Sequence, residues 1–212
     1  KNLQDPVWFN EMMSEAAEDL IATKIHYDGP RCVDSSRGGA GDYPISKQNC
    51  RFVVFNQNNY LPLTTWQNNL ENYAKVSSFG AYLLRNYEAK VLHDLIFSNK
   101  TGEDALKDAT NKDVTTLVRE WGEAVMLSSE DNLPNTQPKY NFGDFKYSDY
   151  DNITYELGSV NFFNYEPQPT FDNSKNLDKN SNVYYKVGSN LSGQVYLNIQ
   201  IKNGADVTVI AK

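Results

Sequence analysis

Histidine, the side chain most used as a general base near neutral pH, occurs only at His26 and His93 in 212 residues. Asp94 follows His93, but adjacent helix positions do not face each other, so the two are not read as a dyad. A Cys-His nucleophile would need a free thiol at Cys32 or Cys50. Those cysteines bracket a stretch rich in Gly, Ser and Asp that burial alone would not hold in one shape. The preferred reading is a Cys32 to Cys50 disulfide, worth about 3 kcal/mol on the chain-entropy model and suited to an oxidising compartment. Two unrelated free thiols in a reduced protein are the alternative. The carboxylates Glu120 and Glu123, and Asp149 and Asp151, pair by spacing, as an acidic surface supplies by accident. A buried carboxylate pair of the glycosidase kind leaves no local signature and stays open. No Gly-x-Ser-x-Gly elbow, His-Glu-x-x-His pair or Rossmann glycine pattern occurs.

Two polar stretches have ligand-like spacing. Asp172, Ser174, Asn176 and Asp178 alternate as oxygen ligands do in a calcium loop, yet Leu177 stands where the turn glycine belongs and Val183 where the bidentate Glu belongs. An exposed loop is the better reading. Ser35 to Asp42 carries glycines and Arg37 that could cradle an anion, but lacks the Lys-Ser/Thr ending and following helix of a P-loop. The expectation is no cofactor, no metal and no assigned catalytic residue.

Aromatic residues offer a different chemistry. Tyr140, Tyr147, Tyr165, Tyr184 and Tyr196 stand among Asn and Gln in a C-terminal half too rich in rings for all to face one way. Outward rings with amides suit sugar stacking, protein contact or self-assembly, and these five tyrosines are the expected binding or assembly surface. A net charge of -7 and a pI near 4.9 with scattered Lys and Arg argue against a nucleic-acid partner. No apolar run approaches the roughly 20 residues that span a bilayer. The first residue is Lys1 rather than Met, which is read as removal of a leader, with a fragment of a longer chain as the alternative. The sequons at Asn99, Asn152 and Asn190 add little, because Asn is abundant.

The elements that position these residues follow from periodicity. Trp66, Leu70, Tyr73, Val76, Phe79, Leu83, Tyr87, Val91 and Leu95 recur every three or four positions, which predicts one long helix over about 64–98, roughly 50 Å in length, with a bend plausible at Ser77 to Gly80. Asp5-Pro6 starts a first helix that runs to about Lys24, with Phe9, Met12, Ala16 and Leu20 as its stripe. Arg51 to Phe55 reads as a short buried strand. Thr101 and Asp104 form a weak capping pair, and Val114, Leu117, Val118, Trp121 and Val125 predict a helix over about 112–127, antiparallel to the long one. Trp8, Trp66 and Trp121 lie on helical stripes and are expected in the core.

Beyond Pro134 and Pro138 the pattern alternates with period two, at Ile153, Tyr155 and Leu157, at Val183 and Tyr185, and at Val195, Leu197, Ile199 and Ile201. Four to six strands are expected. The last hairpin needs a three-residue loop, Lys202-Asn203-Gly204 with Gly204 left-handed, to set Ile199 against Val207 on one face. The fold expected is α+β, one domain over 1–212: helices in about 1–130, including the long central one, packed on a mostly antiparallel sheet in about 140–212.

The leading functional expectation is a non-enzymatic structural subunit, secreted or on an extracellular or particle surface, in a filament, fibre or virion. Self-association or a protein or glycan partner is expected. The alternatives are a secreted monomeric glycan- or protein-binding module and a small secreted hydrolase with a carboxylate- or His-based site.

Overall fold

The computed structural model describes residues 4–22, 51, 54–55, 58–127, 145–148, 154–157, 177–185, 188, 192–194, 196, 198–201 and 204–209. Helix α1 (Val7–Ala22) starts where Pro6 ends the preceding turn, and the Pro6 carbonyl accepts the amides of Phe9 and Asn10. Its inner face is Trp8, Phe9, Met12, Met13 and Ala16. Glu15 and Asp19, outside the stripe of Phe9, Met12, Ala16 and Leu20, are buried as well.

The predicted 64–98 helix is two helices. Helix α2 (Leu70–Tyr87) is capped by Asn69, whose side chain accepts the Asn72 amide, and ends at Glu88, with φ 61° and ψ −179°. Helix α3 (Lys90–Phe97) follows directly. The apolar phase runs through the junction, but the chain turns at Glu88 and not at Ser77 to Gly80, which stays helical. A non-glycine residue in that backbone region stores roughly 1–3 kcal/mol of strain, held in place by the packing on either side.

α2 is the central helix. Ala74 to Arg85 is buried without interruption, so the helix is covered all round. Gly80 permits the approach of α1, since a Cβ there would lie 2.9 Å from Ala16 Cβ and 3.1 Å from the Met12 carbonyl oxygen. Helix α4 (Gly102–Thr110) was signalled only by the Thr101 and Asp104 pair; Thr101 is its N-cap residue but makes no side-chain cap bond. The helix ends at Asn111, left-handed at φ 56°. Helix α5 (Val114–Leu127) begins two residues later than expected. Trp121 meets Ser78 while Lys112, just ahead of α5, lies over the Tyr87 ring, so α5 runs antiparallel to α2. Trp121 packs edge-on to Phe79 with ring centroids 5.5 Å apart, and Phe55 closes the far side at 5.4 Å. Trp8 and Trp121 are in the core and Trp66 is partly buried against it.

The described residues are therefore mainly helical, and the α+β architecture is corrected. Arg51, Val54 and Phe55 are helical, not a strand, although Val54 and Phe55 are buried as expected. β1 (Phe145–Ser148) and β2 (Thr154–Leu157) form one antiparallel pairing, Tyr147 opposite Tyr155, and no larger sheet exists among the described residues. Val183, Ile199 and Ile201 are in no strand, while Val195 and Leu197 lie outside the described residues. Gly204 has the positive φ expected of it, 92°, but Ile201, Val207 and Val209 are exposed and form no ladder on the helices. A two-strand pairing lacks the cross-strand neighbours that stabilise a sheet face. The short stretch 177–185 instead docks on the helices through backbone and amide bonds. The Leu63 amide donates to the Asn180 carbonyl at 2.8 Å, and Asn182 Nδ2 donates to the Val118 carbonyl at 2.8 Å, over Gly122.

Candidate functional site

The loop before α2 folds back on that helix and leaves a cleft of about 620 Å³. Two turns shape it, with Leu61 donating to the Asn58 carbonyl and Thr65 to the Pro62 carbonyl. The result aims two backbone oxygens at one side chain. Lys75 Nζ donates to Pro62 O at 2.5 Å and to Thr65 O at 2.6 Å, and the residue is only 1% exposed. Asn72, also buried, accepts the Gln67 amide and so fixes the loop to the first turn of the helix. Asp178 and Lys179 also line the cleft, carried there by the docking of Asn180 and Asn182.

The electrostatics of Lys75 are set by burial alone. Among the described residues no carboxylate forms an ion pair with it, and removal from water lowers its pKa to about 8. The charged groups lining the cleft are Lys75, Lys179, Glu71 and Asp178, two of each sign, and the rest of the polar lining is amide and hydroxyl. Such a cleft suits an uncharged, hydrogen-bonding ligand, and its size falls within the roughly 300–1,000 Å³ of small-molecule sites.

Three other groupings of charge lie between helices. Arg85 Nη1 donates to Asp19 Oδ2 at 2.6 Å, with side chains 0% and 3% exposed. Arg51 Nε lies 3.2 Å from both oxygens of Glu15, whose carboxyl is pushed up by burial against the opposing pull of Arg51. Lys112 Nζ and the Tyr82 hydroxyl both donate to Glu120, and burial foremost raises the Tyr82 pKa. These groups link helices and do not line the cleft at Lys75. Sequence reasoning missed Lys75, Arg85 and Asp19. The one signal was the small-residue run around Lys75, Ala74 with Ser77, Ser78, Gly80 and Ala81, which marks a helix enclosed on every side.

Of the residues expected to act, Tyr184 is buried, its hydroxyl pKa raised by desolvation, and Tyr196 is 84% exposed. Tyr147 lies in β1. Cys32, Cys50, Tyr140, Tyr165, His26, Asp149, Asp151, Asp172, Ser174 and Asn176 lie outside the described residues. His93 Nδ1 does sit 3.3 Å from Asp94 Oδ1, despite their adjacency, and its ring stacks 4.7 Å from that of Phe97 at an exposed helix end. Glu120 and Glu123 do not converge, since Glu123 accepts from Thr208 while Glu120 faces Lys112 and Tyr82. Among the described residues no three His, Cys, Asp or Glu side chains are placed to share a metal ion, and no helix is long and apolar enough to cross a membrane. No family model matches the chain, and no curated protein or solved structure matches it.

Proposed function

We propose that this chain is a non-enzymatic structural subunit of an extracellular or particle-surface assembly, joined to further copies of itself through its C-terminal segment. The observation that carries this reading is the exposure of that segment's apolar residues, Tyr196 at 84%, Ile201 at 53%, Val207 at 46% and Val209 at 70%. Exposed side chains of high β propensity are costly to leave in water, at about 25 cal/mol for each Å² of apolar surface. They are covered most directly by a strand from another copy, which supplies backbone partners and an apolar face together. The preferred Cys32 to Cys50 disulfide suits the extracellular setting.

The test is native mass by light scattering over a range of concentrations, on the wild type and on Ile201→Lys with Val209→Lys. Both positions are exposed, so the helices should fold unchanged. Concentration-dependent oligomers that the double variant abolishes are expected. A wild type that stays monomeric throughout overturns the proposal. The cleft at Lys75 favours a second reading, a secreted module that binds a polar ligand such as a glycan through amides and hydroxyls.

A further inference from the structure

The structure assigns a modification site at Asn99: it carries an N-linked oligosaccharide whose first N-acetylglucosamine lies against the ring of Phe97. The site is used only where the chain is exported, so it rests on the extracellular part of the proposed function and not on self-assembly. Asn99-Lys100-Thr101 has the acceptor spacing, which in a chain rich in Asn arises readily by chance. Its setting sets it apart. Residues 98–101 connect α3 to α4, and Asn99 is exposed. Thr101 is extended, at φ −126° and ψ 151°, and its side chain makes no cap bond to α4, so the hydroxyl of the acceptor triplet is not engaged by the helix it precedes. Lys100, the middle residue, directs its Nζ to Asp108 at 2.8 Å.

Phe97 is the second observation. As the last residue of α3 it is 76% exposed, although the His93 ring lies 4.7 Å from its own. A ring left this far in water is stabilised by any apolar face that covers it. Only the extended Ser98 separates Phe97 from Asn99, so their Cα atoms are at most about 7 Å apart, within the span of a Phe side chain and of a sugar on Nδ2. The axial C–H bonds of N-acetylglucosamine make an apolar face of slightly positive hydrogens, which complements the negative face of an aromatic ring. Attachment balances without oxidant or reductant. Asn99 Nδ2 bonds to the anomeric carbon of a lipid-pyrophosphate-linked oligosaccharide, the C–O bond to pyrophosphate breaks with its electron pair going to the pyrophosphate, and Nδ2 loses one proton. The other two sequons, at Asn152 and Asn190, lie outside the described residues.

The test secretes the full chain from animal cells blocked in glycan processing, behind a supplied leader and with Asn152→Gln and Asn190→Gln so that one acceptor remains. The supplied leader brings Asn99 to the glycosylating machinery wherever the native chain resides. Failure here therefore counts against the site, while failure of the extracellular assembly shows in light scattering. Occupancy is read by peptide mass spectrometry. The glycan is then trimmed enzymatically to its first sugar, and the Tm is compared with that of the sugar-free Asn99→Gln chain, with Phe97 intact and with Phe97→Ala. Both positions are exposed, so every form should fold. The expected result is a hexosamine on Asn99 in most molecules and a Tm about 2–4 °C above the sugar-free chain, a gain that Phe97→Ala removes. An Asn99 that stays unmodified overturns the inference, as does a first sugar that gives no gain in Tm or one that Phe97→Ala leaves intact.

Discussion

Asp19→Asn gives the sharpest test of how α1 is held to α2. In the native protein Arg85 is 0% exposed and donates to Asp19 at 2.6 Å, while its Nη1 also reaches the Ala81 carbonyl at 3.1 Å. Removing the negative charge takes from a guanidinium out of water the carboxylate it donates to at 2.6 Å. Breaking one side of a buried pair costs roughly 3–5 kcal/mol, and the amide, which still accepts one bond, places this variant near the lower end. That is a large part of the roughly 5–15 kcal/mol available to a folded chain. With a urea slope of about 2 kcal/mol/M, the midpoint should fall by about 1.5 M. Fluorescence of the buried Trp8 and Trp121 reports the transition. The double variant Asp19→Leu with Arg85→Leu should be less destabilised than either single change, because it removes both desolvated charges at once. A midpoint for Asp19→Asn within about 0.2 M of the wild type, under about 0.5 kcal/mol, would refute the reasoning.

Gly80→Ala should destabilise by about 1–3 kcal/mol, since its Cβ would meet Ala16 Cβ at 2.9 Å and the Met12 backbone oxygen at 3.1 Å; thermal unfolding checks this, and an unchanged Tm counts against close helix approach. Lys75 sets a pH dependence. Its folded pKa of about 8 lies below the ordinary lysine value of 10.5, so between those values the unfolded chain binds more protons and stability rises with pH. The wild type should gain at most about 3 kcal/mol over Lys75→Met between pH 7.5 and pH 10.5, and the two variants are compared by the slope of urea midpoint against pH. Equal slopes would show that the ammonium is not desolvated.

Periodicity made α1 and α5 legible, because their stripes, Phe9, Met12 and Ala16 or Val114, Leu117 and Trp121, are complete within one element. The same signal misjudged the junction at Glu88. One residue's backbone angle turns the chain while the spacing of Leu83, Tyr87 and Val91 continues undisturbed. The run Arg51 to Phe55 carries too few residues to separate a buried helical turn from a strand, and burial was the part that periodicity could report. The burial of Glu15 and Asp19 was not legible, because their partners lie 36 and 66 residues away, at Arg51 and Arg85. The alternation at Ile199, Ile201, Val207 and Val209 was read as a sheet packed on the helices, yet a ladder depends on a neighbour that local pattern does not specify. The cleft at Lys75 was illegible for a related reason, since two of its makers are carbonyl oxygens, which no residue type announces.

The docking of 177–185 would couple an occupied cleft to the proposed assembly. Asp178 and Lys179 form a wall of the cleft only while Asn180 faces Leu63 and Asn182 faces Val118, and the same chain continues directly into the exposed apolar segment. Whatever a filled cleft contributes to holding that wall in place, it contributes equally against any rearrangement that draws the segment away toward a neighbour. Linkage makes the effect reciprocal: an occupant that shifts the assembly equilibrium by some factor has its own affinity shifted by that factor on assembly.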